Sequence, residues 1–311
     1  MRQKLATESV FINHFQNKPE AEALKQHSRR RLLSALIVLL VLPALIAAYA
    51  FLIEPRMLSK THLTIRHPDL PESWNGRKIA FFTDAHLGDT YPPERLRRVV
   101  QAVMQESPDL ILFGGDLIDS RTPNDPSFSS EVIEILSQLQ APFGCYAVAG
   151  NHDNRLIAEY RYMEEMLTES GFILLNNQSA IIDGLWLGGL AESYFGQPDP
   201  EHTFSEAGLI EPADIQPGLF RLLLMHQPDY AAALPEETFD VAFSGHSHNG
   251  QVTFFGHPVL TVDEGKNHPY GLYDLSHSRI LLVSRGLGTV LIPVRLGAPP
   301  EIVFATLSRN E

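Results

Sequence analysis

A single cysteine, Cys145, stands in the 311 residues. That excludes an intramolecular disulfide and any multi-cysteine zinc module. Within the apolar run Phe143-Gly144-Cys145-Tyr146-Ala147-Val148 the thiol reads as a buried small hydrophobe. Positive charge is also scarce: 24 Lys and Arg against 37 Asp and Glu leave a net −13. This balance argues against a general nucleic-acid binder, because a phosphate backbone demands a basic face. Bound metal ions could still supply positive charge locally. Internal repeats and low-complexity tracts are missing as well. What the chain does have is 44% hydrophobic content and enough length to bury a large core.

The N-terminus differs from the rest. Residues 1–31 are polar and end in Ser28-Arg29-Arg30-Arg31. Residues 32–53 then carry no charge and are interrupted only by Ser34 and Pro43. A helix of roughly 20 residues crosses the hydrocarbon core, so this stretch suffices as a transmembrane anchor. Lys18, Lys25 and Arg29 to Arg31 outweigh Arg56 and Lys60 beyond it. By the positive-inside bias the N-terminus is cytoplasmic, and the remainder of a single-pass membrane protein lies outside. Ser28 to Leu33 also resembles a twin-arginine export signal, and Ala48-Tyr49-Ala50 offers a small-residue cleavage site. The length of the apolar run favours an uncleaved anchor over a cleaved signal.

Residues 54–75 read as a tether with an edge strand at His62 to Ile65, and residues 76–311 as the main domain. There the apolar runs Lys78–Thr83, Leu110–Phe113 and Tyr146–Ala149 alternate with helical spacings: Leu96, Val99, Val100 and Val103; then Val132, Ile135, Leu136 and Leu139 over Ser129–Gln140; then Ile157, Tyr160, Met163 and Leu167. Alternation of this kind implies a parallel or mixed sheet with right-handed crossovers. Ala180 to Leu187 reads as a hairpin turning at Asp183-Gly184. Residues 192–215 read as a lid or substrate rim, since a loop that long is usually functional. Leu222–Met225 and Val241–Ser244 are further core strands, and strands are expected at Val252–Phe255, Ile280–Val283, Thr289–Ile292 and Ile302–Ala305. Two runs of strands with helices outside point to an α/β fold in which two sheets stack between helical layers.

Five apolar runs end in candidate ligands: Asp84-Ala85-His86, Asp116, Asn151-His152, His226 and His246-Ser247-His248. Ligands of open α/β sheets bind at the carboxyl ends of the strands. The glycines before Asp116, Asn151 and His246 are expected to turn the backbone sharply into a shared site. His246 and His248, one residue apart on an extended segment, are expected to leave on the same side. Buried polar groups in such number would lack partners without a metal. Carboxylate, imidazole and amide donors without thiolate suit Mn, Zn or Fe. Asp84, His86, Asp116, Asn151, His226, His246 and His248 are too many for one ion and about right for two sharing a carboxylate. Such a pair can stabilise an in-line phosphoryl displacement.

The series Asp84-x-His86, Gly114-Gly115-Asp116, Gly150-Asn151-His152-Asp153, His226 and Gly245-His246-x-His248 resembles the calcineurin-like metallophosphoesterases. Gly271-Leu272-Tyr273, Ser284 to Gly288, Pro293-Val294-Arg295 and Pro300-Glu301 further resemble its YkuE/YaeI-type membrane-associated subgroup. The resemblance implies a four-layer α/β/β/α sandwich and a phosphoesterase acting on phosphodiester or pyrophosphate bonds by attack of a metal-bound hydroxide. It implies that Asp84, His86, Asp116 and His248 hold one divalent ion. Asp116, Asn151, His226 and His246 would hold the other, with His152 as the general acid. Asp153 and Asp119 would orient neighbours. Asn249 and Glu192-Ser193 depart from the family pattern beside the site. Arg285 and Arg295 are candidate phosphate partners, though structural ion pairs are the commoner role for such residues. The anchor suggests a lipid-linked phosphoester, and relatives that hydrolyse UDP-2,3-diacylglucosamine offer a named example. That substrate arises at the cytoplasmic face, which conflicts with the charge bias. The rivals are a non-catalytic membrane scaffold, for which loss of ligands would be expected, and a nuclease, which the acidic chain disfavours.

Overall fold

The computed structural model describes residues 4–213 and 215–309. The first three residues of the expected basic segment, Asp214 of the expected rim and the C-terminal Glu311 lie outside the described residues, as do the side chains of 4–22, Lys18 among them. Residues 1–50 and 51–311 form separate compact units. In the first, helix α1 (Lys4–Ala48) runs through both the polar and the apolar stretches without a break. The stretch Ala23–Arg56 is long and apolar enough to cross a membrane, a property shared by anchors and export signals.

The second unit is built on two six-stranded mixed sheets. One sheet contains β1 (Ser59–His67), β2 (Lys78–Phe82), β3 (Leu110–Phe113), β4 (Cys145–Ala147), β5 (Ile173–Leu174) and β14 (Glu301–Arg309), in the order β1-β14-β2-β3-β4-β5. The strands β2 to β5 are parallel, and β14 lies antiparallel to β2. The other sheet contains β6 (Gln178–Ile182), β7 (Leu185–Gly189), β8 (Phe220–Leu224), β9 (Val241–Ser244), β12 (Gly271–Asp274) and β13 (Ile280–Val283), in the order β12-β13-β9-β8-β7-β6. A small hairpin, β10 (Thr253–Phe254) with β11 (His257–Pro258), stands apart.

Alternation along each strand divides the core. Ile79, Phe81, Leu110 and Leu112 of the first sheet meet Leu222, Leu224, Val241 and Phe243 of the second in the layer between the sheets. The edge of Phe81 meets the ring of Phe243 at 5.4 Å, a favourable aromatic geometry. Ala80, Phe82, Ile111 and Phe113 point the other way. They are covered by α2 (Pro93–Gln105), α3 (Pro126–Leu136) and α4 (Ile157–Glu169). Leu96, Val99, Val100 and Val103 of α2 are buried, as their spacing implies.

Several expectations are corrected. The outer face of the second sheet is covered by short elements only, α5 (Pro200–Thr203) and a 3-10 turn at Asp229–Ala233, with loops carrying Leu234 and Phe239, so no long helix lies over it among the described residues. Pro228 and Pro235 punctuate that stretch, and proline lacks the N–H that a continuing helix would need. Helix α3 starts at Pro126, before Ser129, because the Asp125 carboxylate caps it by accepting from the N–H groups of Ser127 and Phe128, each at 3.0 Å. Thr289–Ile292 is a loop, with Leu291 left-handed at φ 60°. The expected tether is largely structure. Strand β1 pairs with β14 from Ser59 to His67, and the buried Glu54 carboxylate accepts from the Ala298 N–H at 2.7 Å. In the expected rim, α5 (Pro200–Thr203) packs on the sheet, with Ser179 Oγ donating to the Thr203 carbonyl at 2.6 Å.

Phe243→Ala is expected to lower stability by about 3–5 kcal/mol through the cavity left between the sheets. Phe255, 88% exposed, should change it by no more than about 0.5 kcal/mol when replaced by Ala. Urea midpoints of the two variants check both figures.

Candidate metal centre

The two sheets bring the carboxyl ends of β2, β3, β4, β8 and β9 to one place. The chain turns abruptly there, and non-glycine residues make the turns: Asp84, His86, Asp116, His246 and His248 have φ of 56, 46, 55, 67 and 50°. Such conformations cost energy and persist where the surroundings over-determine them. The glycines do something other than expected. Gly115 is left-handed at φ 93°, but Gly150 and Gly245 are not. They are required for close approach: a Cβ at Gly150 would lie 2.1 Å from Asp116 Oδ1, and one at Gly245 would lie 2.3 Å from Asp84 Oδ2.

Asp116 sits in the middle. Its Oδ2 is 3.2 Å from His226 Nε2 and 3.5 Å from His86 Nε2. Its Oδ1 accepts from the His152 N–H at 2.8 Å. Asp84 Oδ1 lies 3.4 Å from His248 Nε2 and 4.0 Å from His86 Nε2. His86 Nε2 and His248 Nε2 face each other at 3.1 Å. Donor atoms within 4.8 Å of one another form three overlapping groups: Asp84, His86 and His248; His86, Asp116 and His152; and Asp116, His226 and His246. His246 and His248 therefore fall into different groups, although both line the cavity over the site. Strand β9 ends at Ser244, and the left-handed backbone at both histidines breaks the extended alternation.

Neighbouring carbonyls select the imidazole nitrogens. His226 Nδ1 donates to the Gly114 carbonyl at 2.8 Å, and His246 Nε2 to the Asp263 carbonyl at 2.8 Å. Each bond turns the opposite nitrogen toward the donor group around Asp116, the arrangement that metal-binding histidines need once that nitrogen has lost its proton. His226 Nε2 makes no aligned hydrogen bond despite its closeness to Asp116, and the buried Asn151 Oδ1 has no partner. A buried acceptor without a donor, as Asn151 Oδ1 is, is costly and is what a cation satisfies. No lysine or arginine lines the adjoining cavity, bounded by Asn151, His152, Tyr194, His246, His248 and Asp263 among others. Among the described residues of this lining, bound metal would be the source of positive charge for a phosphate.

Protonation follows the same geometry. Burial alone would lower His226, but the Asp116 and Asp84 carboxylates carry it up to about 10. Burial would raise Asp116, but His226 and His86 hold it well below the usual carboxylate range. Burial pushes His86 down to about 3 and His246 down to about 4, and His248 falls well below its ordinary value. Asp84 rises to about 7, chiefly through burial.

Residues 77–250 match the family model of calcineurin-like phosphoesterases. The chain belongs to this family. Its metal-binding residue clusters are those of a metallophosphoesterase hydrolase with a dinuclear site. The uncharacterized metallophosphoesterase YkuE of Bacillus subtilis (strain 168) is 35% identical over 295 residues, covering 91% of this chain and 99% of the relative. The UDP-2,3-diacylglucosamine pyrophosphatase LpxG of Chlamydia trachomatis is 28% identical, covering 86% of this chain and 95% of the relative. A transmembrane protein with metallophosphoesterase domain from Danio rerio is 28% identical, covering 93% and 65% respectively.

All eight residues singled out by the sequence converge here, His152 half-buried with its ring edge-to-face with His86 at 4.9 Å. Asp153 is buried and accepts from the N–H groups of Gly150 at 2.9 Å and Ile118 at 3.0 Å, fastening the loop that carries Asn151. Asp119 pairs with Arg121. Neither candidate phosphate arginine lines the cavity. Arg285 pairs with Glu301 at 2.6 Å, while Arg295 is buried among the carbonyls of Gly288, Ala298 and Arg285, with His248 Nδ1 at 3.3 Å. Tyr194 was not foreseen individually: its hydroxyl donates to the Asp263 carbonyl at 2.5 Å and lies 3.3 Å from His246 Nε2. The buried Glu192 carboxylate sets it there by accepting from the N–H groups of Tyr194, Phe195 and Gly196 and from the Asn154 and Gln227 side chains.

Loading with Mn2+ at pH 8 is expected to release at least one proton. Without metal His226 titrates at about 10 and holds its proton at that pH, whereas a ligand nitrogen must be bare. Calorimetry in two buffers of different ionisation enthalpy measures the release, and its absence would remove His226 from the ligand set.

Proposed function

We propose that the chain is a membrane-anchored, two-metal phosphoesterase that cleaves phosphodiester or pyrophosphate bonds of a lipid-linked substrate. The observation that carries this reading is Asp116 between two donor groups, with Asp84, His86 and His248 on one side and His226 and His246 on the other. Asp84, His86, Asp116 and His248 would hold one ion; Asp116, Asn151, His226 and His246 would hold the other. Mn, Zn or Fe suits these donors. When bound, such ions polarise phosphoryl oxygens and lower the pKa of water to about 7.

The chain's own residues do the rest. The Gly114 and Asp263 carbonyls hold His226 and His246 in the required tautomers. The His152 N–H fixes one Asp116 oxygen, leaving the other toward His86 and His226. The His152 ring, half-buried in the cavity lining, donates a proton to the departing oxygen. Tyr194 and Asp263 line the same cavity and limit how a substrate can enter.

A narrower reading is supported by the likeness to LpxG: the pyrophosphate of a nucleotide-linked diacyl sugar. It requires a cytoplasmic catalytic unit, whereas the basic residues before Leu32 favour an external one. An alkaline phosphatase fused after Glu311 is expected to be active, and a fluorescent cytoplasmic fusion with a silent phosphatase would overturn the external placement.

The activity test uses the full chain in lipid nanodiscs with Mn2+. Bis-p-nitrophenyl phosphate should be hydrolysed faster than p-nitrophenyl phosphate. His152→Ala should keep its metals and lose about 10²–10⁴-fold in rate; Asp116→Ala should lose metal and activity together. A His152→Ala variant as fast as the parent would end the acid role, and failure to cleave either ester with both metals bound would refute the small-diester reading.

A further inference from the structure

The cavity over the metal ligands, about 450 Å3, is bounded on one flank by His248, Thr261, Val262 and Val290. The same four residues close one end of a second cavity of about 500 Å3. Its remaining walls are almost wholly apolar: Val252, Val259, Leu260, Leu291, Ile292 and Val294. Among the described residues no lysine, arginine or carboxylate lines it, and the shared His248 is held neutral by burial. Leu260, Leu291 and Ile292 are 78, 87 and 56% exposed, an expensive surface to present to water unless something covers it.

This wall is built rather than incidental. The Gln251 side chain crosses from the β10 side to the Val290–Val294 loop, donating to the carbonyls of Ile292 at 3.2 Å and Val294 at 3.3 Å, and accepting from the Val290 N–H at 2.5 Å. Gln251 and Leu291 both hold left-handed backbone, φ 62 and 60°, a conformation rare for residues with side chains. At Gly250, also left-handed at φ 64°, a Cβ would lie 2.0 Å from the Leu260 carbonyl, so the opposing wall approaches as closely as a bare backbone allows.

We propose that this groove takes the alkyl chain of an amphiphilic phosphoester whose phosphate group reaches the metal ligands next to His248. The inference rests on the phosphoesterase reading above and adds where the substrate's tail lies. The shared flank of His248, Thr261, Val262 and Val290, which sets the apolar groove directly beside the metal ligands, is what selects this occupant over a bilayer surface or a second copy of the chain. A ligand spanning both cavities meets donors at one end and hydrocarbon at the other, within the volume range of small-molecule sites.

The test compares p-nitrophenyl alkyl phosphodiesters with methyl, butyl and octyl chains, using the Mn2+-loaded full chain in nanodiscs. The kcat/KM should rise with chain length, by up to about fourfold for each methylene buried. Leu260→Asp and Leu291→Asp should cut the octyl-to-methyl ratio by about tenfold or more. Partition of long esters into the disc is common to all variants, so a ratio unchanged by both substitutions would assign the apolar patch to another surface and overturn the proposal. Should no ester be hydrolysed at all, octylphosphonate binding separates the two readings. Binding that weakens in both variants would keep the groove while the phosphoesterase reading fell, and no binding would sink both.

Discussion

The Asp116 carboxylate, 2% exposed and flanked by two imidazoles, is the point on which the rest of the structure depends. A buried anion without a counter-charge would destabilise the fold by several kcal/mol. Here His226 supplies that charge when metal is absent, which is why its proton is held so firmly. The surrounding architecture keeps this group in place: a Gly150 backbone with no room for a side chain, an N–H from His152, and a strand end on each sheet.

Packing between the sheets makes the convergence possible. Phe81 and Phe243 lock β2 against β9, so the ends of both strands deliver Asp84 and His246 within hydrogen-bond distance: the His246 N–H donates to the Asp84 carboxylate at 3.1 Å. The left-handed turns at five candidate ligand residues are strain that the interior can hold because the strands behind them are rigid and fully buried. Hydrophobic stability stored between the sheets thus supports polar, strained geometry at their edge.

Around that fixed centre the loops carry the variable chemistry. Glu192 spends its whole acceptor capacity on positioning the segment that presents Tyr194. Gln251 does the corresponding job for the apolar loop at Val290–Val294. In both cases one side chain organises a loop of little intrinsic structure, and the two loops border the same cavity. A scaffold shared across a family can be turned toward a particular substrate in this way.

The donor set, the strands that end in it and the long apolar N-terminal run were legible in the sequence, because each rests on local properties: residue type, a period of two, and uninterrupted hydropathy. The ends of β2, β3, β4, β8 and β9 could be named before any contact was known. Which histidine stands beside which carboxylate was decided only by the tertiary structure: left-handed backbone at His246 and His248 defeats the alternation that an extended segment implies. The same holds for the covering of the second sheet, for the carbonyl-lined burial of Arg295 and for the adjoining cavities beside His248. Those features depend on contacts between segments far apart in the chain, whose free energies no local pattern of residues encodes.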